Sequence, residues 1–300
     1  MRIGIDLGGT KIEFLALGPG DHELHRYRID TPAGQYAETI ALIAENVRFL
    51  ETQTGLTGTI GIGIPGTISP TSGRVMNANS VWLNGQPFDR DLAAALGREI
   101  RVANDANCFA LSEATDGAGS TAGSVFGVIL GTGVGGGLVL NGRHMRGANA
   151  IGGEWGHNPL PRRGHGDHTP RDCWCGRQDC IETYLSGPAL EGEYTAIAGT
   201  AAKATEIVSL AADGDSGAET LLSLYEERAA RALATVINLY DPEIIVLGGG
   251  LSNIERFYEA IPRLWRTHVF SDRVTTRLEP PVHGDSSGVR GAARLWPEYS

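Results

Sequence analysis

Cysteine is scarce in this chain. There are four in 300 residues, and three of them crowd into the eight positions of CWCGRQDC, 173–180. Such scarcity excludes a secreted scaffold held by disulfides and leaves the cytoplasm as the expected compartment. Long apolar runs are also missing, so no membrane span is expected. The opening MRIGIDLGGTKIEF lacks the charged start, long apolar centre and small-residue cleavage site of a signal peptide. Positive charge is in deficit: the net charge of −10 argues against nucleic acid or an anionic membrane as the main partner. Neither GxxxxGK[ST] nor a GxGxxG that opens a helix within a βαβ unit occurs, which argues against P-loop and dinucleotide-binding folds.

Glycine is what the chain has in excess. Its 42 glycines are about twice the usual share, and they cluster rather than recur at a period. Clusters of this kind mark loops where backbone must come close to something. Arg2 to Asp6 reads as a strand that enters Gly8-Gly9-Thr10, and Ile12 to Leu17 as its return, a β-hairpin with a glycine tip. HELHRYRI (22–29) extends it. Apolar residues at Ile40, Ile43, Val47 and Leu50 predict a helix over Gln35 to Thr54. TIGIGIP (59–65) and IRVAND (100–105) read as strands, with Asp89 as N-cap of a helix at Leu92 to Leu96.

The opening pattern then recurs. SVFGVIL (124–130) enters Gly131-Thr132-Gly133, and Gly135-Gly136-Gly137 leads into LVLNG, about 120 residues after the first hairpin. Asn141-Gly142 signals a tight turn. Two similar halves are implied. Further on, Ala218 to Tyr240 reads as a long helix, EIIVLGGGLSN (243–253) as a buried strand running into glycines, and Ser287 to Trp296 as a closing helix.

A triphosphate needs several N–H donors at close range, and glycines clear its approach. The tip Gly8-Gly9-Thr10-Lys11 meets that need, its Thr hydroxyl and Lys cation adding to it, while Asp6 at the strand end suits a water on Mg²⁺. Thr132 and Gly133 sit at the matching place in the second half. Gly248-Gly249-Gly250 offers bare backbone for an adenine. A glycine hairpin without a ligand is the plain alternative. Asp105, between strand and helix, is either an N-cap or a carboxylate placed to take a hydroxyl proton. Asn79, Asn104, Glu154, His157 and Glu182 make a set of amides, carboxylates and imidazole that suits a polyol.

The cysteine spacing is not CxxC, and a disulfide would strand one of the three. Three thiolates require one more ligand for a closed tetrahedral Zn²⁺ site, which the upstream histidines His157, His165 and His168 can supply. Cys108, in the helix after Asp105, reads as a small core residue.

Taken together, Asp6 to Lys11, Asn104 to Asn107, Gly131 to Gly137, Gly153-Glu154-Trp155-Gly156-His157, Cys173 to Glu182 and Leu247 to Gly250 resemble, over essentially the whole chain, the ROK family of sugar kinases, repressors and epimerase-kinases. The resemblance implies an actin-like α/β fold of two ribonuclease-H-like domains with a nucleotide and sugar cleft between them. Their expected limits are 1–116, joined by a C-terminal helix at about 287–300, and 117–286. It implies Asp105 as the base for the 6-hydroxyl of a hexose and Asn79, Asn104, Glu154, His157 and Glu182 as the sugar's holders. Asp6, Gly8, Gly9, Thr10, Lys11, Thr132 and Gly133 would serve Mg²⁺ and the phosphates of ATP, and Gly249 and Gly250 the adenosine. It favours His157, ahead of His168, as the zinc ligand beside Cys173, Cys175 and Cys180. Residues 77–85, 156–161 and 283–291 look most like manno(fructo)kinases, so fructose is the expected substrate, with an N-acetylglucosamine kinase or glucokinase as the alternative. A homodimer is expected. A sugar-responsive repressor would carry a helix-turn-helix ahead of this body, and a strand starting at residue 2 leaves no room for one.

Overall fold

The computed structural model describes residues 1–162, 164, 166–167, 169–284 and 287–297. Two five-stranded sheets organise them. The first contains β1 (Arg2–Leu7), β2 (Lys11–Leu17), β3 (Glu23–Asp30), β4 (Thr59–Ile64) and β7 (Ile100–Asn104) in the order β3-β2-β1-β4-β7, and a short ribbon of β5 (Thr67–Ile68) and β6 (Val75–Met76) follows β4. The second contains β8 (Ser124–Leu130), β9 (Val134–Leu140), β10 (Arg143–His144), β11 (Ile244–Gly248) and β12 (Arg277–Glu279) in the order β10-β9-β8-β11-β12. In each sheet the opening hairpin is antiparallel and its first strand pairs in parallel with a later one. The halves inferred from the recurring glycine turns therefore share strand order and direction.

Ile3, Ile5 and Leu7 of β1 and Ile244 to Leu247 of β11 are fully buried, as in strands covered on both faces. Helices α1 (Tyr36–Thr54) and α2 (Phe88–Leu96) cover the first sheet. Five helices belong to the second: α4 (Glu182–Leu185), α5 (Gly187–Ala198), α6 (Ala204–Ala212), α7 (Ser216–Tyr240) and α8 (Phe257–Trp265). Two helices join the halves. One face of α3 (Asp105–Thr115) packs on β8 and β9, and α9 (Ser287–Ala293) lies against α3, β1 and β4. Glycine makes this approach possible: a Cβ on Gly61 would stand 1.8 Å from Ala292 O, and one on Gly291 1.7 Å from Cys108 O. Cys108 is fully buried beneath this contact, the core position expected of it.

Some boundaries differ from expectation. Asp89 does not cap α2, which starts at Phe88 after Pro87; Asp89 and Asp91 instead lie in its first turn, where negative charge suits the positive end of the helix. Helix α7 starts at Ser216, two residues before the expected Ala218, with Asp215 as its cap accepting the Ala218 N–H at 2.8 Å. The closing helix ends at Ala293 rather than Trp296, and residues 298–300 lie outside the described ones. Asn141 and Gly142 form the expected turn, both with positive φ (49° and 73°).

Candidate active site

The C-terminal ends of β4 and β7 face the turn between β8 and β9. A cleft of about 220 Å³ between them is lined by Pro65, Gly66, Asn77, Asn79, Asn104 and Asp105 on one side. Thr132 to Gly135, Glu154, Trp174 and Glu182 line the other. Its volume is at the small end of ligand clefts.

At the start of α3 it is Asn104, not the expected Asp105, that caps the helix. Asn104 is the N-cap: its Oδ1 accepts the N–H groups of Ala106 (2.9 Å) and Asn107 (3.3 Å), and its Nδ2 donates to Gly66 O at 3.3 Å. Asp105 is the first helical residue, and its Oδ1 shares the Ala106 N–H at 2.8 Å. Burial raises the Asp105 pKa; bonds from the Ala106 N–H and the Asn104 side chain oppose this without cancelling it. The amide expected to hold a sugar is thus occupied with backbone, while the neighbouring carboxylate faces the cleft.

Two more carboxylates feel this charge. Asp6, opposite Glu13 in the β1–β2 ladder, is pushed up to about 7 by burial, then by Asp105 and Glu13, against the pull of Arg28. Glu154 is also raised, by burial and by the charges of Asp105 and Glu182. Acids gathered this closely favour whatever relieves their repulsion, such as a cation or a hydroxyl donor.

The hairpin tip is closed by the Gly8 N–H donating to Lys11 O at 2.9 Å, with Gly9 and Thr10 exposed. Lys11 is not a loose cation; its Nζ sits 2.5 Å from Asp30 Oδ1 across the strand pair, in an exposed position. Gly249 presses on the Leu130–Gly131 backbone behind the second turn, and Gly250 faces open space. These tip and adenosine candidates do not line the cleft. Asn79, Asn104, Asp105, Thr132, Gly133, Glu154 and Glu182 do. His157 lines an adjoining outer chamber of about 700 Å³, which shares Asn77, Glu154 and Trp174 with the cleft.

The ligand atoms of His157, Cys173, Cys175 and Cys180 all lie within 4.8 Å of one another. Cys175 Sγ and Cys180 Sγ are 3.6 Å apart, as are Cys173 Sγ and His157 Nδ1. Those separations are far too long for a disulfide and close to the roughly 3.8 Å edge of a tetrahedron with zinc–sulfur bonds. One imidazole and three thiols are a donor set that fits Zn²⁺. Backbone builds the cluster: Cys173 N donates to Arg177 O at 2.8 Å, and a bridge of Pro159 with Cys180 brings the His157 segment alongside. His165 and His168, the other candidates, lie outside the described residues.

Asn77, in the amide cluster 77–80 that the sequence offers to sugar hydroxyls, lines the cleft and stands with positive φ (60°) just after β6. One further cleft residue carries no role in the sequence reading. Trp174 stands between two metal-site cysteines and reads in the sequence only as a spacer. Its indole N–H donates to Glu182 Oε1 at 2.6 Å, while Glu182 Oε2 accepts the Val134 N–H at 2.9 Å. An aromatic between two ligand positions was the one signal available.

Comparison with known proteins agrees with the fold and the motifs. The family model "ROK family" matches residues 2–299. Curated relatives include N-acetyl-D-glucosamine kinases, for example that of Haemophilus influenzae, 39% identical over 301 residues and covering 99% of each chain. Among solved structures, a ROK hexokinase from Thermus thermophilus superposes with a TM-score of 0.86 at 32% identity, over 97% of this chain and 96% of that one. A ROK glucokinase from Streptomyces griseus, in complex with glucose and AMPPNP, superposes with 0.77 at 26% identity over 98% of both. The architecture is the actin-like α/β fold expected from the motifs.

Proposed function

The chain belongs to the ROK family and is an ATP-dependent sugar kinase; from that premise we propose that its substrate is N-acetylglucosamine, phosphorylated on the 6-hydroxyl. The observation that carries this is the near-complete coverage by N-acetyl-D-glucosamine kinases. The fructose expectation rested on three short segments, and Asp285 and Ser286 of one lie outside the described residues. It gives way to the alternative. Glucose is a second reading, favoured by the likeness to a glucose-bound glucokinase.

In the proposed reaction the sugar's 6-hydroxyl lies at Asp105. The carboxylate takes its proton as the oxygen bonds to the γ-phosphorus and ADP leaves with the electrons of the broken P–O bond. Burial, which raises the Asp105 pKa, makes it a better proton acceptor while ionised. Asn79, Glu154, His157 and Glu182 hold the remaining hydroxyls, and Asn104 holds the helix that carries the base. Asp6, Gly8, Gly9, Thr10, Lys11, Thr132 and Gly133 serve the phosphates and their Mg²⁺, and Gly249 and Gly250 the adenosine. Mg²⁺ bound with ATP would neutralise phosphate charge, and Asp6 would orient a water on it. Zn²⁺ on His157, Cys173, Cys175 and Cys180 is a structural clip.

Division into two domains near residue 116 is part of the proposal, and their closure over the sugar would exclude water from the transfer. Dimerisation is part of the proposal, supported by the apolar residues Leu239 and Phe270, 89% and 99% exposed, on segments joined by the Phe270 N–H donating to Asn238 Oδ1. Incubation with MgATP and N-acetylglucosamine, followed by phosphorus NMR, tests the reaction. A 6-phosphomonoester is expected, and ATP hydrolysis without sugar phosphate would sink the proposal.

A further inference from the structure

Trp174 is 57% exposed, so burial does not fix its indole. The chain on either side does: Cys173 and Cys175 both belong to the metal-site cluster. The ring also stands edge-on to a third member, with His157 at a centroid distance of 5.0 Å and an angle of 85°. From this support the indole N–H reaches Glu182 Oε1 at 2.6 Å. The other Glu182 oxygen is held by the Val134 N–H, from the turn that follows β8. Glu182 is thereby pinned from both sides, once by the metal clip and once by the glycine-rich turn. Trp174 also forms a wall common to the inner cleft and the outer chamber.

We propose that Trp174 is a positioning residue for the sugar, through which the metal clip sets the orientation of the Glu182 carboxylate. This rests on the reading of the cleft as the sugar site. A hydrogen bond to a charged acceptor is directional, and without it the carboxylate is free to turn from the hydroxyl it should meet. The metal's influence on sugar binding then runs through the indole as well as through His157. Trp174 acts on the Val134 turn through Glu182, so loss of the indole N–H should weaken sugar binding more than nucleotide binding.

The test compares wild type with Trp174→Phe, which keeps the aromatic edge against His157 but removes the N–H, and with Trp174→Ala. Loss of one charged hydrogen bond corresponds to about tenfold or more in affinity. The Phe variant should raise the sugar KM by about that factor, change the ATP KM by less and retain its zinc by elemental analysis. Titrating wild type with N-acetylglucosamine in the absence of ATP should perturb tryptophan fluorescence, and the Phe variant should lack that component. A Phe variant with a wild-type sugar KM, with ATP and sugar weakened equally, or with sugar weakened only through loss of zinc overturns the proposal. If wild type itself neither binds nor phosphorylates the sugar, the functional reading fails instead.

Discussion

Asn104 Oδ1 accepts the Ala106 and Asn107 N–H groups and so takes over the capping of α3 from its neighbour Asp105. The sequence offers Asp105 as the cap; Asn and Asp cap about equally well, and the structure gives the place to Asn104. The division of roles leaves an acid at a helix start with its charge turned to the cleft. Asp105→Asn should therefore lower kcat by about 10²–10⁴-fold, the usual contribution of a general base. Sugar affinity, measured by calorimetry without ATP, should change little, since the substitution is isosteric. Near-wild-type turnover would remove Asp105 from its role.

The acid limb of activity follows from the same carboxylates. The base must be ionised to take a proton, and its folded-state pKa is raised by burial, so activity is present above that pKa and falls as pH drops through it. Asp6, pushed to about 7, protonates in the same direction. The acid limb of kcat/KM should therefore lie above the ordinary carboxylate value of about 4. A decline that sets in only at or below that value would contradict the assignment.

Removal of the metal should act on the sugar side of the cleft. Cys175→Ser, or prolonged chelation, should strip zinc, lower Tm and raise the sugar KM more than the ATP KM, because His157, Trp174 and Glu182 all lean on the cluster. Elemental analysis and differential scanning fluorimetry check this. A metal-free protein with unchanged Tm would argue against a structural site.

Asp167 holds the segment leading to that cluster. It is almost wholly buried, and its two oxygens take Arg228 Nε at 2.7 Å and Arg231 Nη2 at 2.8 Å, both from α7. Burial alone would raise its pKa, but the Gly164 N–H and the two guanidinium groups outweigh it and lower it. The contribution to stability is then complete above the unfolded pKa and is lost as pH falls through the folded value. Asp167→Ala removes one of two carboxylate partners from each guanidinium, leaving Arg228 on Glu193 and Arg231 on Glu227, and should cost about 1.5–3 kcal/mol at neutral pH, measured by urea unfolding. A change near zero would mean that the pairs with Glu193 and Glu227 suffice to hold both cations.

The recurring strand, glycine turn and strand were legible because backbone patterns are local, and the two sheets repeat them down to strand direction. The cluster of three cysteines and a histidine was legible too, the cysteines from their spacing and His157, rather than a later histidine, from the family resemblance. What stayed hidden depends on tertiary pairing. Lys11 on Asp30 needs the β2–β3 register, and the start of α2 at Phe88 is set by Pro87 and an acidic first turn rather than by a capping Asp89. Trp174 to Glu182 needs the knuckle fold of 173–180. Substrate choice was the least legible, because short segments shared among relatives carry little of the geometry that reads a sugar's substituents.

The most direct measurement is kcat/KM with MgATP for N-acetylglucosamine, glucose, mannose and fructose under one set of conditions. N-acetylglucosamine should exceed the others by at least tenfold, a difference of about 1.4 kcal/mol in transition-state binding. A preference for fructose or mannose would contradict the proposed substrate while leaving a sugar kinase. Absence of transfer to all four would contradict the proposed chemistry at Asp105.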